Sequence, residues 1–552
     1  MSKYVYGIDL GTTYSCIAYQ EGDRPTVLKN LDNNSDTTPS VVQWGEDGTV
    51  IVGQEAKDTS VLEESAGRTV SFVKRLIGKS QVATTIDGRQ ISPVEVSAYI
   101  LRELVRQAQQ QTDDEVKDVV ITCPAYFGDT ERTATKQAGE MAGLNVLSII
   151  EEPTAAAICY GVTKADSNRN VLIYDLGGGT FDITVLKITN GEIRVITTEG
   201  DHDLGGKNWD DALSTLMVDK FLDESGYTGD PFDEDGNEEF MQQLMIESEK
   251  TKQALSNRTS VKKLLDYNGQ RAKIEVTRDE FDDITSELLE RTKDLTQKAI
   301  DEAKAQGVAI DEILLVGGST MMPQVQNMVG NTFGVPFKIF EPHEAVAKGA
   351  AIYAIIQATK QSEVNSTEVK EQDAEGNDVA RDTTTGETRM LPTIGGGSTL
   401  PTNLNADTKV ISVSTKSFGI KANDSQTGEP RIFNIVKKDD ELPAHASQRF
   451  ATVDANQEQV LIELFESPEK ADDLPVDASS RIGDCEMNLP AGLPAHTPLE
   501  ITLAVQEDGT ISLHGQTLDN GTNIDTVFKS ENVLSKEEIE EARKRVSTGL
   551  VF

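Results

Sequence analysis

The sequence predicts an α/β domain built from two similar lobes, followed by an all-β domain and a short C-terminal helix. Over residues 1–360, apolar strands alternate with amphipathic helices, and each half contains a glycine-rich turn. From Val410 onwards, short apolar strands follow one another without intervening helices, which is typical of a compact β-sandwich. Near the end of the sequence, Ser535 and Glu538 have the spacing of a helix-capping box.

Composition divides the chain further. Its 552 residues suffice for about three domains. Between Glu363 and Glu387, eight acidic residues stand against two basic ones with no aromatic residue, so we expect this stretch to remain unpacked. We predict the α/β domain at 1–360, an acidic flexible linker or insertion at 361–409, the β-sandwich at 410–533 and the last helix at 534–552.

Charge and cysteine content exclude several classes of protein. The formal net charge of −40 argues against nucleic-acid binding, because phosphate backbones attract Lys and Arg. The charge favours solubility and basic or apolar clients, or it reflects an acidic cytoplasm or a salt-adapted host. The four cysteines have no Cys-x-x-Cys spacing, so we expect neither a metal site nor a disulfide framework. No apolar run approaches the ~20 residues that span a bilayer. We expect a cytoplasmic protein without a membrane partner.

Two glycine-rich turns carry the strongest chemical signal. In each, an apolar strand ends at a carboxylate and turns through glycine into hydroxyl residues. Glycine lets backbone N–H groups approach a polyphosphate, and a neighbouring carboxylate suits a divalent cation or its water shell. Two such turns facing each other would hold one nucleotide from both sides. The first contains Asp9, Gly11, Thr12, Thr13 and Tyr14, and the second contains Asp175, Gly178, Gly179, Thr180 and Asp182.

A third glycine turn and several helices complete the α/β pattern. Strand Ile313–Val316 ends at Gly317-Gly318-Ser319-Thr320, a turn of the kind that contacts a nucleoside. Helices are predicted at Ser92–Gln111, Asp129–Ala142, Phe240–Leu255 and Arg278–Gln306.

These turns, with Lys74-Arg75-Leu76-Ile77-Gly78 and Glu151-Glu152-Pro153-Thr154-Ala155-Ala156-Ala157, resemble the 70-kilodalton heat-shock chaperones of the DnaK type. The likeness is close over residues 1–360 and looser over the β region. It implies an actin-like ATPase domain that holds Mg-ATP between two lobes, followed by a peptide-binding β-sandwich.

The resemblance assigns roles around the phosphates. Gly11, Thr12, Thr13 and Tyr14 would hold them from one lobe, and Gly178, Gly179 and Thr180 from the other. Asp9 and Asp175 would order the water shell of Mg²⁺ and, with Asp182, would bind a monovalent cation such as K⁺.

The resemblance also implies a catalytic set of Lys74, Glu152, Asp175 and Thr180. Lys74 would orient the attacking water and stabilise charge on the γ-phosphate, and Glu152 would help to position water and metal. These choices suit phosphoryl transfer, which needs positioning and nearby cations. Each residue also has a structural alternative: Lys74 as a surface lysine, Glu152 as a helix-start carboxylate and Asp182 as a strand-end cap.

On the nucleoside side, the chain departs from the family. Glu249, Lys252, Ser256, Gly318 and Ser319 match the family's ribose and adenine contacts. Met321, however, stands where the family stacks an arginine on adenine, so a cation–π contribution of roughly 0.5–2 kcal/mol is lost. We expect the protein still to bind nucleotide, but more weakly or with faster nucleotide exchange.

The residues that couple the two domains also differ in part from the family's pattern. Pro124 and Arg132 match the family's relay of the nucleotide state. The usual leucine-rich linker closed by aspartate is replaced by Thr408–Ser412, and Ser148 replaces the arginine that pairs with that aspartate. We expect altered or weak dependence on a J-domain cochaperone, with a nucleotide-exchange factor as a further partner.

In the β region, Ile420, Phe450, Val460 and Ile462 match positions that line the family's peptide pocket, although they could be ordinary core residues. Asn423 stands where a residue often arches over the peptide. Only Ser535–Val546 remains of the helical lid, so bound peptide should dissociate quickly.

These features predict a slow ATPase that acts as a chaperone for unfolded or extended polypeptides, with weak lid closure. The main alternative is a non-hydrolysing ATP-binding homologue that acts as a regulatory scaffold. A sugar kinase of the same fold is a third possibility, against which the β-sandwich and the Glu151–Ala157 motif argue.

Overall fold

A computed structural model describes most of the chain. The described residues are 3–62, 65, 67–163, 168–189, 191–234, 236–373, 378–386, 388–392, 398–400, 408–507, 510–518, 523–527 and 534–548. The predicted Gly395-Gly396-Gly397 stretch of the linker and residues 549–552 of the predicted last segment lie outside them.

The first lobe is a mixed sheet with helices on both faces. Its main sheet has the strand order β11-β10-β1-β2-β3, in which β1, β10 and β11 are parallel and β1, β2 and β3 antiparallel. The strands are β1 (Tyr6–Asp9), β2 (Tyr14–Glu21), β3 (Arg24–Val27), β4 (Thr38–Pro39), β5 (Val42–Trp44), β6 (Val50–Val52), β7 (Thr69–Val70), β8 (Thr84–Ile86), β9 (Arg89–Ile91), β10 (Asp118–Cys123) and β11 (Asn145–Glu151). The helices are α1 (Gln54–Thr59), α2 (Pro93–Thr112), α3 (Asp129–Met141) and α4 (Glu152–Thr163), with a 3₁₀ turn at Val73–Leu76.

The second lobe repeats the strand order of the first. Its main sheet runs β18-β17-β12-β13-β14, again with three antiparallel strands followed by two parallel ones. The strands are β12 (Arg169–Leu176), β13 (Phe181–Thr189), β14 (Glu192–Asp201), β15 (Ser260–Tyr267), β16 (Gln270–Thr277), β17 (Glu312–Val316) and β18 (Phe337–Ile339). The helices are α5 (Gly206–Ser225), α6 (Glu238–Leu255), α7 (Arg278–Ile284), α8 (Ser286–Ala305) and α9 (Pro323–Thr332), with a 3₁₀ turn at Gly318–Met321. The next helix, α10 (Ala345–Ser362), packs on β1, β2 and β10 of the first lobe's sheet. The prediction of two similar lobes is confirmed.

One helix prediction is wrong. The sequence predicts a single helix over Arg278–Gln306, whereas the structure has two helices that meet at Thr285. The φ angle of Thr285 is −109°, and its buried hydroxyl donates to the Phe281 carbonyl at 2.7 Å. A β-branched side chain that bonds its own backbone favours such a break.

The expectation of a flexible acidic linker is also wrong for much of 361–409. The described residues include a three-stranded antiparallel sheet of β19 (Glu368–Gln372), β20 (Asp378–Asp382) and β21 (Thr388–Met390). Val379 and Ala380 of β20 are buried, and the few basic residues of the sheet each pair with an acidic one across the strands. These pairs are Lys370–Asp378 at 2.7 Å, Arg381–Glu371 at 2.8 Å and Arg389–Glu368 at 2.7 Å.

The strand at the start of the predicted sandwich belongs elsewhere. Strand β22 (Lys409–Ile411) pairs in parallel with Glu192–Arg194 and extends the second lobe's sheet. A strand prediction identifies an element but not its partner, and here the partner lies about 200 residues earlier in the chain.

The C-terminal part of the chain forms two antiparallel sheets that share one apolar core. Their strand orders are β27-β24-β23-β26-β28 and β25-β29-β30-β31. The strands are β23 (Ser417–Asn423), β24 (Pro430–Val436), β25 (Ala444–Ala451), β26 (Gln459–Ser467), β27 (Asp473–Pro475), β28 (Ser480–Asn488), β29 (Pro498–Val505), β30 (Ile511–Thr517) and β31 (Asn523–Val527), with a 3₁₀ turn at Val476–Ala478.

The last helix, α11 (Lys536–Thr548), lies on the first lobe. Ala542 and Val546 are buried in the core that α2 and α3 also form. Among the described residues, no helix is long and apolar enough to cross a membrane.

Candidate functional site

The two glycine-rich turns face each other across the cleft between the lobes. The first joins β1 to β2, and the second joins β12 to β13. A Cβ on Gly178 would lie 1.9 Å from the Thr13 hydroxyl oxygen, and one on Gly179 would lie 2.3 Å from the Thr12 methyl group. Only glycine permits this approach. The structure therefore brings together the two turns that the sequence analysis identified.

Four buried carboxylates lie behind these turns. Asp175 and Asp182 are cross-strand partners in the β12–β13 hairpin, and Asp9 and Glu152 are coupled to them electrostatically. Burial and the charge of Glu152 raise the pKa of Asp9 to about 7. The same causes raise the pKa values of Asp175 and Asp182 well above their ordinary range. Repulsion between these carboxylates contributes to the raised pKa values, and a bound cation would relieve it and favour their charged forms.

Lys74 is the cation that the protein itself supplies. It is 5% exposed and forms an ion pair with Glu152. Burial opposes its charge, but the carboxylates of Glu152 and Asp9 outweigh burial and raise the pKa of Lys74. The alternative of a surface lysine does not fit this position.

The two carboxylate oxygens of Asp182 bear on whether the site suits a metal ion. Its Oδ1 accepts a hydrogen bond from the Ala125 amide at 2.9 Å. Its Oδ2 is buried without a hydrogen-bond partner. In the part of the chain that the structure describes, no three His, Cys, Asp or Glu side chains converge closely enough to ligate a metal directly. The arrangement suits a hydrated cation held through water and phosphate.

The predicted nucleoside contacts lie on α6 and the third turn. Lys252 donates to Asp210 at 2.7 Å and to the Gly206 carbonyl at 2.9 Å. The Ser319 hydroxyl donates to the Gly177 carbonyl at 2.9 Å, which fastens the third turn to the second.

Three predicted nucleoside residues have different surroundings. The Ser256 hydroxyl donates to the Lys252 carbonyl at 3.3 Å. Gly318 packs so closely on His343 that a Cβ would lie 2.8 Å from the imidazole Cε1. The Met321 side chain is 43% exposed.

Glu249 joins the lobes instead of standing free in the cleft. It accepts a hydrogen bond from the Tyr14 hydroxyl at 2.7 Å and forms an ion pair with Lys57 of α1. A cavity of about 30 Å³ adjoins this contact, and its lining includes Thr12, Thr13, Lys57, Asp210 and Glu249.

Sequence reasoning missed two basic residues at this site. Arg75 reaches from the first lobe and donates to the Gly179 carbonyl at 3.0 and 2.7 Å and to Asn208 at 2.9 Å. Lys57 supplies the interlobe contact with Glu249. Arg75 adjoins Lys74 in the motif Lys74-Arg75-Leu76-Ile77-Gly78, so the sequence contained an indication that Arg75 belongs to the site. The segment around Lys57 carries no comparable pattern.

Of the predicted interdomain residues, Pro124 adjoins the carboxylate cluster, and Arg132 binds the segment that follows Pro124. Pro124 precedes Ala125, the residue whose amide binds Asp182. The Arg132 guanidinium donates from Nε to the Phe127 carbonyl at 3.0 Å and from Nη2 to Glu151 at 2.8 Å.

The predicted peptide-binding residues divide into two pairs. Ile420 and Ile462 are 5% and 3% exposed and lie within the core that the two sheets share. Phe450 and Val460 are partly buried at its margin. Asn423, the predicted arch residue, is exposed. The structure thus places all four predicted pocket residues around one apolar core.

The β domain is docked against the α/β domain. Lys438 forms a buried ion pair with Glu199 of β14. Arg194 pairs with Glu441 at 2.5 Å. The predicted lid helix α11 lies on the first lobe, where Arg545 contacts Glu95 at 3.3 Å.

Comparisons with known proteins agree with this architecture. The family model described as Hsp70 protein matches residues 5–431. The chaperone protein DnaK of Thermosipho melanesiensis is 33% identical over 98% of the chain and 83% of that protein. The chaperone protein DnaK of Thermotoga neapolitana is 34% identical over 97% of the chain and 82% of that protein. The chain therefore belongs to the Hsp70 family.

Proposed function

We propose that this protein is an ATP-dependent chaperone that hydrolyses ATP slowly between its two lobes. The observation that carries the proposal is the pair of facing turns with Lys74 and the carboxylate cluster directly behind them. A polyphosphate would meet backbone N–H groups and hydroxyls from both lobes. Membership of a family with DnaK relatives supports ATP as the nucleotide.

The residues divide the chemical work as follows. Thr12, Thr13 and Thr180 bind and orient the phosphates. Lys74, held by Glu152, orients the attacking water and offsets the charge that develops on the γ-phosphate. Asp9 and Asp175 fit the water shell of Mg²⁺, which supplies neutralisation of phosphate charge when bound. K⁺ beside Asp182 is a further candidate, supported by the unpartnered Oδ2 of this residue.

In this proposal, the β domain binds extended apolar segments of unfolded polypeptides. Ile420, Phe450, Val460 and Ile462 would surround a buried client side chain, since they meet at one apolar core. Helix α11 packs its apolar side chains on the first lobe. We therefore propose weak lid closure and fast release of bound peptide.

The same proposal includes altered dependence on a J-domain cochaperone. Ser148 and Ser412 replace both members of the charged pair that the family resemblance leads one to expect. The expected result is a small effect of a J-domain protein on ATP turnover. Strong stimulation would contradict it.

A second candidate is a scaffold that binds ATP without hydrolysing it. The buried Lys438–Glu199 pair and the pairing of β22 with β14 favour it, because both hold the domains in one arrangement.

Single-turnover hydrolysis of ATP, with and without an unfolded peptide, separates the two candidates. Peptide-stimulated release of phosphate supports the chaperone. Tight binding of ATP that stays intact for hours supports the scaffold, and failure of ATP to bind in the presence of Mg²⁺ contradicts both.

A further inference from the structure

The backbone carbonyl groups of the three glycines in the second phosphate turn are all held by hydrogen bonds. Those of Gly177 and Gly178 are held within the second lobe, by the start of α5 and by the third turn. The donors are the Gly206 amide at 3.0 Å and the Ser319 hydroxyl at 2.9 Å for Gly177, and the Lys207 amide at 2.8 Å for Gly178. The first part of the turn is therefore oriented by its own lobe.

The carbonyl group of Gly179 is held by a side chain of the first lobe instead. Arg75 donates to it from Nε at 3.0 Å and from Nη2 at 2.7 Å. Nη2 also donates to Asn208 Oδ1 at 2.9 Å, and this oxygen accepts a further hydrogen bond from the Gly205 amide at 2.9 Å. The planar guanidinium thus binds the turn and the start of α5 together. The last peptide group of the turn is oriented from across the cleft.

The orientation of the Gly179 carbonyl also fixes that of the Thr180 N–H. The two groups belong to one planar trans peptide, so they point in opposite directions. Gly205 packs on this peptide, since a Cβ on Gly205 would lie 2.5 Å from the Gly179 carbonyl carbon and 2.6 Å from the Thr180 nitrogen. Among the described residues, none accepts a hydrogen bond from the Thr180 N–H. This donor is therefore available to an anion.

The segment that carries Arg75 contacts the second lobe at a further point. Arg75 follows Lys74 in the 3₁₀ turn at Val73–Leu76, and Phe72 directly precedes this turn. The Lys207 ammonium lies 5.3 Å from the centre of the Phe72 ring. Phe72 has a φ of 58°, a left-handed conformation that is rare for a bulky residue. Contacts with the second lobe thus hold the segment in which Lys74 and Arg75 adjoin.

We propose that Arg75 is a positioning residue that aims the Thr180 N–H at the terminal phosphate of ATP. This inference rests on the proposed ATPase function. Lys74, which is proposed to act on the same phosphate, adjoins Arg75 in one 3₁₀ turn. A donor that is oriented before charge develops on the phosphate stabilises this charge without reorganisation. Because Arg75 belongs to the first lobe, the second turn has its full set of oriented donors only when the two lobes are closed.

Single-turnover hydrolysis and nucleotide affinity test the proposal together. Arg75→Ala should slow hydrolysis of ATP about 10- to 100-fold, because the Thr180 N–H is then misdirected but not removed. The affinity for ATP, measured by calorimetry, should fall more than the affinity for ADP, which lacks the terminal phosphate. The affinity for ADP should stay within about threefold of the parental value. A residue that only holds the lobes together would weaken the binding of both nucleotides equally.

NMR follows the Thr180 N–H directly. Deuterated full-length protein, isotope-labelled at glycine carbonyl carbons and threonine nitrogens, gives correlations only for threonines that follow a glycine. Thr180 is one of these, and its signal is identified by its loss in Thr180→Ser. When beryllium fluoride takes the place of the terminal phosphate in the Mg-ADP complex, the Thr180 amide proton should move downfield in the parent. In Arg75→Ala it should stay near its Mg-ADP position. Thr49 also follows a glycine, and because its N–H donates to Asp47 at 3.0 Å, its signal should not move in either protein.

Arg68→Ala is the matched control. Arg68 is also an arginine of the first lobe that binds two backbone carbonyls, from Nε to Trp44 at 2.9 Å and from Nη2 to Gly45 at 3.0 Å. It makes no contact with the phosphate turns among these bonds, so Arg68→Ala should hydrolyse ATP at close to the parental rate. Should Arg75→Ala fail to fold, Arg75→Lys decides. Lysine keeps the charge but lacks the planar fork, so this variant should also slow hydrolysis.

The inference is overturned if the Arg75 variant hydrolyses ATP within about twofold of the parent. It is also overturned if the variant loses as much affinity for ADP as for ATP, or if its Thr180 signal moves as in the parent. A parent protein that binds ATP without hydrolysing it contradicts the proposed function. The Thr180 signal then decides this inference on its own, because it requires only bound nucleotide.

Discussion

Lys74 and Glu152 form a buried ion pair between the 3₁₀ turn at Val73–Leu76 and the first residue of α4. The pair fixes the ammonium group of Lys74 next to Asp9, whose charge also acts on it. An ammonium held in this way needs little reorganisation when charge develops on a phosphate nearby, and such preorganised charge is effective in catalysis.

Replacing Lys74 with Met should therefore abolish hydrolysis while leaving nucleotide binding in place. We expect single-turnover ATP hydrolysis to slow about 10²- to 10³-fold, the usual cost of losing one preorganised charge. ATP affinity, measured by calorimetry, should change far less. Lys79→Met, at an exposed lysine five residues later, is the control and should behave as the parent. Hydrolysis by Lys74→Met within tenfold of the parent would exclude a catalytic role for Lys74.

The carboxylate cluster predicts a pH dependence of stability. The pKa of Asp9 is about 7 in the folded protein, raised from 3.8 by burial and by Glu152. The folded state therefore binds a proton more tightly than the unfolded state does. The contribution of Asp9 to the free energy of unfolding is therefore complete below about pH 4. It is lost as the pH rises from about 4 through about 7. Asp9→Asn should flatten this part of the stability curve of the nucleotide-free protein, measured by urea unfolding between pH 5 and pH 8.

The same cluster predicts release of protons when Mg-nucleotide binds. A cation lowers the pKa of the nearby carboxylates, so protons held at pH 6.5 must leave. We expect about 0.5 to 1 proton from Asp9 at this pH, where a group of pKa about 7 is mostly protonated. Calorimetry in buffers of different ionisation enthalpy counts these protons. The same count in Asp9→Asn and in the parent would contradict the assignment.

Docking of the β domain should depend on Lys438. Its ion pair with Glu199 is buried, with 9% and 7% of the two side chains exposed. Removing one member of a buried pair costs about 3 kcal/mol or more, although Lys298 remains 3.1 Å from Glu199. Lys438→Met should therefore separate the domains and increase the radius of gyration in small-angle X-ray scattering. Lys421→Met, which removes a more exposed pair with Glu463 inside the β domain, serves as control. Identical scattering from both variants would contradict this prediction.

The parts of the fold that sequence predicted well are those encoded locally. A carboxylate, a glycine and two hydroxyls within a few residues specify the turn at Asp9–Thr13, and a carboxylate, three glycines and one hydroxyl specify the turn at Asp175–Thr180. The sequence also predicted that the two turns face each other, because one polyphosphate would bind to both. The duplicated strand order confirmed that the two lobes repeat one pattern.

The parts that sequence missed depend on partners far along the chain. The small sheet of β19, β20 and β21 has ion pairs whose members are 8 to 21 residues apart and buries Val379 and Ala380, which composition alone did not indicate. Arg75 meets Gly179, and Lys57 meets Glu249, over still longer separations. No local pattern encodes such contacts, because they depend on how the lobes pack.

The last prediction concerns Met321 and the affinity for adenine. Met321 ends the third turn and is 43% exposed, so a longer planar side chain can be placed there without displacing core residues. Met321→Arg would add a guanidinium that stacks on the base, a contribution of roughly 0.5–2 kcal/mol. We expect ATP to bind about 2- to 30-fold more tightly and to leave more slowly, measured by calorimetry and by stopped-flow displacement of a fluorescent nucleotide. Met321→Gln is the matched control, because glutamine is polar and planar at its end but uncharged, and it should leave affinity near the parental value. Equal affinities for the arginine and glutamine variants would show that the base does not lie against the third turn. The assignment of Gly318, Ser319 and Met321 to the nucleoside would then be wrong, while the phosphate turns would be unaffected.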